Sequence, residues 1–438
     1  MTRERVLLLD GQTTQALACA RSLGRAGCDV VVASTTHRPL AAWSRYCAGR
    51  FRMSAETPVG FSSLRAWARA QGVTLVLPLT ERSHLLLNAQ RDDWQQAGIT
   101  IGCAPDGVLR RAFDKARTLR VAEQCGVAIP PTRMPRSLAA SRVAAAELGF
   151  PCVVKARFSA SWNGTAIVRD AGTTYVRTMA EVETAVERYR QDGHWPIMQG
   201  FVPGQGKGVF TVCARGAPRA WFSHERLRDV RPSGSGSSLR RSTPLESRLR
   251  EPAERLLRAM DWHGPAMVEF RDDGVRPPYL MEVNGRFWGS LQLAISAGVD
   301  FPRLWLDVLR GEKAPDGPPP EASGPPVTLR WLWGDAKRLL YVFAGPPPGF
   351  PGSFPSRLQG LREVLGPQPR GTRSETWDAT DGWPALGEWV QGVGELLARG
   401  SGREPARGAH EAPLALLPAS ASSPIIANTR AEREGWVS

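Results

Sequence analysis

Lysine is scarce in this chain, and the basic residues form no block. The 438 residues include 56 lysines and arginines against 42 acidic residues, a formal charge of +14, yet only five of the basic residues are lysines. A net positive charge is compatible with a nucleic-acid partner. The arginines are spread along the chain without interleaved aromatics, however, which disfavours a nucleic-acid binder. The positions that keep lysine are therefore candidates for a specific role, such as contact with a phosphate.

Other absences exclude further classes of protein. The seven cysteines are scattered singly, without CxxC spacing, which predicts buried free thiols in a reducing compartment rather than zinc ligands or disulfides. No apolar run approaches the length of a membrane span. The apolar run at 6–9 is too short, and Asp10 comes too early, for a signal peptide. We therefore expect a cytoplasmic protein without a membrane partner.

The first hundred residues alternate between strand and helix patterns. Buried strands are predicted at 5–10, 29–33 and 73–77, with helices at 15–27, 61–71 and 82–97. This alternation predicts a parallel α/β domain. The first turn contains no GxGxxG sequence, so a dinucleotide site is improbable and a scaffold domain is preferred.

The segment 264–302 carries the strongest candidate chemistry. Residues 266–271 and 279–284 each alternate with period two, and a turn-like Asp272-Asp-Gly274 and Pro277-Pro278 separate them. If the two strands form a hairpin about that turn, Glu269 lies opposite Glu282, and Asn284 shares a face with Glu282. Opposed like charges destabilise a sheet unless something positive lies between them.

Two readings of these glutamates are open. Most glutamates on strands face solvent, and these two alone would favour that reading. Gly285-Arg286-Phe-Trp-Gly289 follows at once, however, and supplies a cation for phosphate and glycines that allow close backbone approach. Two carboxylates and an amide oxygen form a ligand set for Mg²⁺ or Mn²⁺ rather than zinc. The combination favours a magnesium–nucleotide site.

Three further segments are ambiguous when taken alone. Lys155 ends an apolar strand and is either an edge charge that discourages aggregation or a phosphate contact. Gln199 lies on a strand that is either ordinary or the donor–acceptor edge that reads an adenine ring. The serine- and glycine-rich loop 233–238 has the composition of a linker, but it follows Arg226 and Arg228, which favours a mobile anion-binding flap.

Taken in order, four motifs resemble those of the ATP-grasp superfamily, specifically its carboxylate–amine ligase-like members. The motifs are Phe113-Asp-Lys115, Phe150-Pro-Cys-Val-Val-Lys155, Met198-Gln-Gly-Phe-Val-Pro-Gly204, and the paired segments Met267-Val-Glu269-Phe and Leu280-Met-Glu-Val-Asn-Gly-Arg-Phe-Trp-Gly289. The resemblance covers roughly residues 1–310. It implies a mixed α/β and α+β fold, with a Rossmann-like pre-ATP-grasp domain followed by two subdomains that clasp ATP.

The resemblance also implies roles for the nucleotide-binding residues. Lys115 and Lys155 would contact the phosphates of ATP. The adenine ring would lie against the hinge strand, where Gln199, Phe201 and Val202 are the matching positions.

A second set of roles concerns the metal and the reacting phosphate. The resemblance implies that Glu269, Glu282 and Asn284 hold Mg²⁺ or Mn²⁺, and that Arg286 reaches the γ-phosphate or an acyl phosphate. We further predict that Arg226 and Arg228, with the loop 233–238, form a lid and substrate cradle, because such a reaction needs cations on the developing charge and exclusion of water.

The sequence departs from the family pattern at three places. Gly285 stands where proline usually precedes the arginine, which predicts a looser turn. Gly200 stands where an acidic residue is common. Gln205 and Lys207 occupy the region that often supplies a carboxylate to the ribose, so that contact is predicted to be missing or water-mediated.

The predicted organisation has five parts. An N-terminal α/β domain spans 1–110, an ATP-grasp domain 111–313, a Pro/Gly-rich linker 314–326, an accessory region 327–399 and a disordered tail 400–438. The implied reaction activates a carboxylate with ATP and joins it to an amine, so the expected partners are small molecules, with a homodimer left open. The alternative is a catalytically silent nucleotide-binding module in a biosynthetic complex, which the retained acidic residues disfavour.

Overall fold

The computed structural model describes residues 3–162, 167–168, 172–190, 193–234, 236–313, 317–347 and 349–400. The tail predicted to be disordered lies outside these residues from 401 onward, as do Ser235 of the predicted lid and residues 314–316 of the predicted linker. All seven cysteines are free thiols, as predicted. In the described part of the chain, no helix is both long and apolar enough to cross a bilayer.

The N-terminal part is a sheet of five parallel strands in the order β3-β2-β1-β4-β5, with helices between the strands. α-Helices follow β1, β3 and β4, and a short 3₁₀ helix (Leu40–Trp43) follows β2; each connection returns the chain to the same edge, so the strands pair in parallel. The predicted parallel α/β domain is confirmed. Its elements are β1 (Arg5–Leu8), α1 (Thr14–Arg25), β2 (Asp29–Ser34), β3 (Cys47–Arg52), α2 (Pro58–Ala70), β4 (Leu75–Leu77), α3 (Glu81–Ala89), α4 (Arg91–Gln96), β5 (Thr100–Ile101) and α5 (Asp106–Phe113).

A smaller antiparallel sheet follows, with the order β10-β7-β11-β6. Helices α7 and α8 cover one face, where Ala145, Val154 and Met198 are fully buried. The elements of this part are α6 (Lys115–Gln124), β6 (Thr132–Arg133), α7 (Leu138–Leu148), β7 (Cys152–Lys155), β8 (Ser161–Trp162), β9 (Ile167–Val168), β10 (Thr173–Val176), α8 (Met179–Tyr189) and β11 (Ile197–Gly200).

The largest sheet has seven strands in the order β16-β15-β12-β13-β14-β17-β18. Its long hairpins place alternate side chains on opposite faces, and one face carries the candidate acidic residues. The elements are β12 (Gln205–Ala214), β13 (Ala217–Arg228), β14 (Leu239–Ser242), α9 (Ser247–Ala259), β15 (Gly264–Asp272), β16 (Tyr279–Asn284), α10 (Leu291–Ser296), α11 (Phe301–Leu309), β17 (Thr328–Arg330), α12 (Leu332–Ala344), α13 (Arg357–Leu365), β18 (Arg373–Ser374) and α14 (Trp383–Gly400).

The predicted hairpin is present, and its register is as expected. Strands β15 and β16 pair antiparallel, with Glu269 opposite Glu282 and Met267 opposite Asn284. A register irregularity follows Glu269. The two glutamates are therefore cross-strand neighbours, which places their charges in one local environment.

The region predicted to be a small accessory lobe extends the large sheet instead. Strand β17 pairs with β14, and β18 pairs with β17. Farther along, Asp381 forms a buried ion pair with Arg21 of α1, 2.8 Å between the charged atoms. This region therefore joins the large sheet to the N-terminal domain. The predicted domain boundaries themselves stay a prediction.

The N-terminal domain packs against the large sheet through shared apolar cores. Val6 and Leu8 of β1 belong to the same buried cluster as Phe222 and Phe287. The indole of Trp305 also donates a hydrogen bond to the carbonyl of Gly102 (3.1 Å). This packing brings the start of α3 toward the acidic face of β16.

Candidate active site

The acidic face of the β15–β16 hairpin is organised by hydrogen bonds that run along the chain. The Asn284 amide nitrogen donates to Glu282 Oε1 (3.0 Å), and Arg286 Nη2 donates to Asn284 Oδ1 (3.1 Å). Arg286 is buried, and its Nη1 also donates to the carbonyl of Phe287 (3.0 Å). The side chains of 282, 284 and 286 are thus held in fixed orientations by one another.

Two lysines from the neighbouring part of the chain face Glu282. Lys115 begins α6, where Asp114 caps the helix, and its ammonium donates to Ser159 Oγ (2.9 Å). Lys155 ends β7. Burial raises the pKa of Glu282, but Lys115, the Asn284 hydrogen bond, Lys155 and Arg286 together hold it below its ordinary value. Glu282 is therefore ionised at neutral pH.

The Lys155 ammonium has an unusual pKa. Burial lowers the pKa of Lys155 from its ordinary value to about 8, with Lys115 and Arg271 adding to the decrease. Glu282 and Glu269 oppose the shift by stabilising the charged form. This lysine is a cation that a small further change in environment can neutralise.

Arg226 on β13 neutralises the second glutamate. Its Nη2 lies 2.8 Å from Glu269 Oε1, and its Nη1 lies 3.9 Å from Asp229 Oδ1. Although burial lowers the pKa of Arg226, the carboxylates of Glu269 and Asp229 raise it above its ordinary value. Arg226 therefore lies at the acidic face together with Glu269.

Arg228, which the sequence analysis grouped with Arg226, lies elsewhere. It is buried in a two-point ion pair with Asp335 of α12, with distances of 2.8 and 2.7 Å. Arg330 also pairs with Asp335 (2.6 Å). In this structure Asp335, a partner distant in the sequence, thus holds the Arg228 side chain in the contact between β13 and α12. The role of Arg228 in a substrate cradle stays a prediction.

The predicted lid is partly packed in this structure. Ser237 and Ser238 are buried, and the Ser238 amide donates to the carbonyl of Arg228 (2.8 Å). Ser235 lies outside the described residues. The role of the loop 233–238 as a lid stays a prediction.

The predicted adenine edge lies at the end of β11. The Gln199 side chain is buried and donates to Thr132 Oγ1 (3.0 Å) of β6. The Phe201 ring is partly exposed and lies edge-on to Tyr175, with ring centroids 6.2 Å apart. Val202 is half-buried beside it. The amide of Gln199 thus already has a protein partner, and the contact of this edge with adenine stays a prediction.

One acidic residue at the site was not found from the sequence. Glu81 begins α3 in the N-terminal domain, and its Oε2 is buried without a hydrogen-bond partner. Burial raises the pKa of Glu81; Arg286 and Lys115 lower it, and Glu282 raises it further. The capping residue Thr80 marks the start of α3 in the sequence. The sequence does not show that α3 lies at the acidic face, because only tertiary packing brings it there.

The oxygen atoms of the hairpin fit a magnesium ion. Within the described ranges, no group of three or more His, Cys, Asp or Glu side chains is arranged to hold a metal. The hairpin offers two opposed carboxylates and one amide oxygen, and Mg²⁺ typically takes one or two carboxylates and completes its shell with water and phosphate. The donor set therefore suits magnesium bound together with a phosphate ligand.

One protein-family model matches part of the chain. Residues 217–330, from β13 to β17, match the family model described as ATP-grasp in the biosynthetic pathway with Ter operon. This segment contains Arg226, Glu269, Glu282 and Arg286. No curated protein sequence matches the chain.

Several solved structures have the same fold. The biotin carboxylase of Campylobacter jejuni in complex with β-γ-ATP has a TM-score of 0.58 and 17% identity, over 71% of this chain and 72% of that one. The biotin carboxylase domain of the Hydrogenobacter thermophilus 2-oxoglutarate carboxylase, in complex with MgADP, ADP and bicarbonate, has a TM-score of 0.56 and 16% identity, over 72% and 71% of the two chains.

A third solved structure belongs to another enzyme. The N5-carboxyaminoimidazole ribonucleotide synthetase of Thermus thermophilus has a TM-score of 0.54 and 18% identity, over 71% of this chain and 79% of that one. At these identities the likeness concerns the fold. The chain therefore has the fold of the ATP-grasp proteins, an N-terminal α/β domain followed by the ATP-grasp module that its motifs resemble.

Proposed function

We propose that this protein is an ATP- and Mg²⁺-dependent ligase that activates a carboxylate as an acyl phosphate and joins it to an amine. The observation that carries the proposal is the ring of charge around the hairpin: Glu269 and Glu282 lie opposite each other, and Lys115, Lys155, Arg226 and Arg286 surround them. Opposed carboxylates interleaved with cations suit a metal–triphosphate complex, which carries both signs of charge. The fold shared with nucleotide-bound enzymes supports the same function.

Each group in the ring has a proposed role. Lys115 and Lys155 bind phosphate oxygens, and Arg286 binds the γ-phosphoryl group or the acyl phosphate formed from it. Glu269, Glu282 and Asn284 would hold the magnesium ion, which when bound supplies Lewis-acid stabilisation of the phosphate charge. Because Arg286 is buried and hydrogen-bonded to Asn284, its guanidinium is pre-oriented for the charge that develops during transfer.

The nucleotide base is proposed to lie against the end of β11. Phe201 offers a partly exposed aromatic ring there, and Val202 offers an apolar contact. Since the Gln199 amide already binds Thr132, we propose that Gln199 fixes the shape of this edge and leaves reading of the base to backbone groups. The substrates are proposed to be small molecules, a carboxylate and an amine, used in the cytoplasm without nucleic acid or membrane.

The test is Mg²⁺-dependent release of ADP from ATP in the presence of pooled carboxylates and amines. We expect turnover that requires both substrate pools, and a loss of about 10²- to 10³-fold for Glu282→Gln, comparable to removal of one transition-state-stabilising group. Glu225→Gln is the matched control, because Glu225 neighbours Arg226 on the same strand but pairs with Arg241 in an exposed ion pair. It should keep full turnover.

Two outcomes would contradict the proposal. Nucleotide binding without ADP release for any pool would favour the catalytically silent module. Absence of nucleotide binding from the folded protein would remove both functions.

A further inference from the structure

Helix α14, the last one in the described part of the chain, presents an uninterrupted apolar face to solvent. Trp383, Leu386, Val390, Val393 and Leu397 of α14 are each between 46% and 71% exposed. They follow one another at spacings of three, four, three and four residues. This is the spacing of the seam between two paired helices, in which every such residue packs against a facing helix.

The opposite face of α14 is fixed to the body of the protein. A Cβ atom at Gly387 would lie 2.4 Å from the Trp43 ring, and one at Gly392 would lie 2.3 Å from the Trp333 ring, so the helix approaches both rings closely. Gln391 donates to the carbonyl of Gln12 (3.0 Å) and accepts from the amide of Leu40 (3.0 Å). The helix therefore cannot rotate to bury its exposed stripe without breaking these contacts.

Two more tryptophans enlarge the apolar face. Trp389 is 41% exposed on α14, and Trp377 is 59% exposed just before the helix, where its indole nitrogen lies 3.7 Å from the Cβ position of Gly382. If a fully buried aromatic side chain contributes about 150–250 Å², the seven exposed side chains together offer on the order of 700 Å². That area is close to the roughly 800 Å² that each partner contributes to a standard interface.

The charge of the face selects the kind of partner. Every exposed position of α14 between 383 and 397 is apolar or glycine, so the face carries no charge that would attract an acidic or basic partner. The whole chain has a formal charge of +14, which makes two copies repel each other elsewhere on their surfaces. A neutral stripe on this chain is therefore a surface on which a second copy can dock without like-charge contact.

The remainder of the same chain is a poorer match to the stripe. Residues 401–438 follow α14 directly, but Pro405, Pro413, Pro418 and Pro424 interrupt their apolar residues. Proline inside a helix removes a backbone hydrogen bond and clashes with the preceding turn. A helical seam needs a partner helix with the same repeat, and α14 of a second copy has it.

We propose that α14 is the centre of a homodimer interface in which the two copies pack their α14 helices about a two-fold axis. Val390 is the middle residue of the stripe, so in a two-fold pair it lies beside Val390 of the second copy whichever way the helices run. Trp377, Trp383 and Trp389 then provide the large buried anchors that typically dominate such interfaces.

The test measures the mass of the full-length protein in solution by light scattering and sedimentation, at micromolar concentration. We expect a dimer for the native chain and a monomer for Val390→Glu, because the substitution places two like charges at the centre of the interface. Mixing Val390→Glu with Val390→Lys should restore dimers that contain one copy of each. Leu358→Glu on α13 is the matched control, since Leu358 is similarly exposed (57%) but lies outside the stripe, and it should leave the dimer intact.

Near-ultraviolet circular dichroism and the melting temperature report whether each variant is folded, and restored dimers from the charge-swapped mixture show that both variants retain the interface. A native chain that is monomeric overturns the proposal, as does a dimer that Val390→Glu leaves unchanged. Adsorption of a monomeric native chain to phosphatidylcholine vesicles, lost in Val390→Glu, would overturn it in favour of a lipid surface.

Discussion

The indole of Trp262 occupies the space beside Gly285 that any larger residue would need. A Cβ atom at Gly285 would lie 2.3 Å from Trp262 Cη2 and 3.2 Å from the Phe113 ring. Trp262 is fully buried, and its Nε1 donates to the carbonyls of Gly264 and Pro265 (3.2 Å each). A displacement of the indole would break these hydrogen bonds. The turn before Arg286 is therefore tightly packed, although the sequence predicts a looser turn where glycine replaces proline.

We predict that Gly285→Ala destabilises the protein by about 1–3 kcal/mol, the range for overpacking a filled core. The same substitution should raise the KM for ATP, because it displaces the neighbouring Arg286. In the background of Trp262→Phe, which removes the clashing atoms, the added cost of Gly285→Ala should fall. Urea denaturation of the four chains in this double-mutant cycle measures that coupling.

Gly107→Ala is the control for the loss of glycine itself. Gly107 lies in the exposed part of α5, with no atom within 4 Å of its Cβ position, so alanine there should be neutral or stabilise by up to about 1 kcal/mol. Equal effects of Gly285→Ala with and without the tryptophan would contradict the packing explanation.

The hairpin could be predicted from the sequence because its determinants are local. Period-two alternation, a turn of Asp, Gly and Pro, and the short separation of the strands together place Glu269 opposite Glu282. The position of Arg228 could not be predicted in this way. Periodicity alone places Arg226 and Arg228 on one strand and on one face. A register irregularity lies between these two arginines, however, and Arg228 binds Asp335, which is distant in the sequence, so its environment differs from that of Arg226.

Two other features depend on contacts between distant segments. Glu81 reaches the site because the N-terminal domain docks on the large sheet, and a helix-starting glutamate is otherwise unremarkable in a sequence. Strand β17 has three residues, and β18 has two, so neither carries enough alternation to be recognised. β17 joins the large sheet by pairing with β14, and β18 forms its edge by pairing with β17, which the sequence pattern does not encode.

The lowered pKa of Lys155 predicts a pH dependence of nucleotide binding. Phosphate binds the protonated Lys155 ammonium better than the neutral amine. Well below the pKa of about 8 the ammonium is already protonated, so the affinity for ATP does not depend on pH. Above that pKa, Lys155 must take up a proton when ATP binds. We expect the Kd for ATP to rise as the pH passes through 8, by roughly tenfold for each further pH unit. Isothermal titration calorimetry between pH 7 and 9.5 in two buffers of different ionisation enthalpy measures both the Kd and the proton uptake.

Lys155→Arg is the matched variant for this prediction. Arginine keeps the positive charge throughout the range, so the pH dependence should disappear even if the affinity at pH 7 is reduced. The other groups that face Lys155 are Glu282, Glu269, Lys115 and Arg271. A pH dependence that persists in Lys155→Arg would assign the titration to a different group.

Substitution of the two neighbouring arginines should separate a role in turnover from a role in stability. Arg226 pairs with Glu269 at the acidic face, so Arg226→Ala should lower kcat, by about 10²- to 10³-fold if the guanidinium contacts developing charge. Arg228 is buried against Asp335, so Arg228→Ala should lower the free energy of unfolding by about 3–5 kcal/mol, the cost of leaving a buried charge with a missing partner. Because Arg330 still reaches Asp335, the lower end of that range is expected.

Steady-state turnover below the melting temperature, together with thermal unfolding, distinguishes the two effects. Arg228→Ala should keep a normal KM and kcat per folded molecule. Arg226→Ala leaves the largely buried Glu269 without its partner, so it should also lower the melting temperature, but it alone should lose turnover in the fraction that remains folded. Arg241→Ala, which removes an exposed ion pair with Glu225 on the same hairpin, should change neither quantity appreciably, since exposed pairs contribute less than about 1 kcal/mol. Normal turnover in Arg226→Ala would remove this arginine from the reaction, whereas lost turnover in a fully stable Arg228→Ala would place the second arginine back at the substrate.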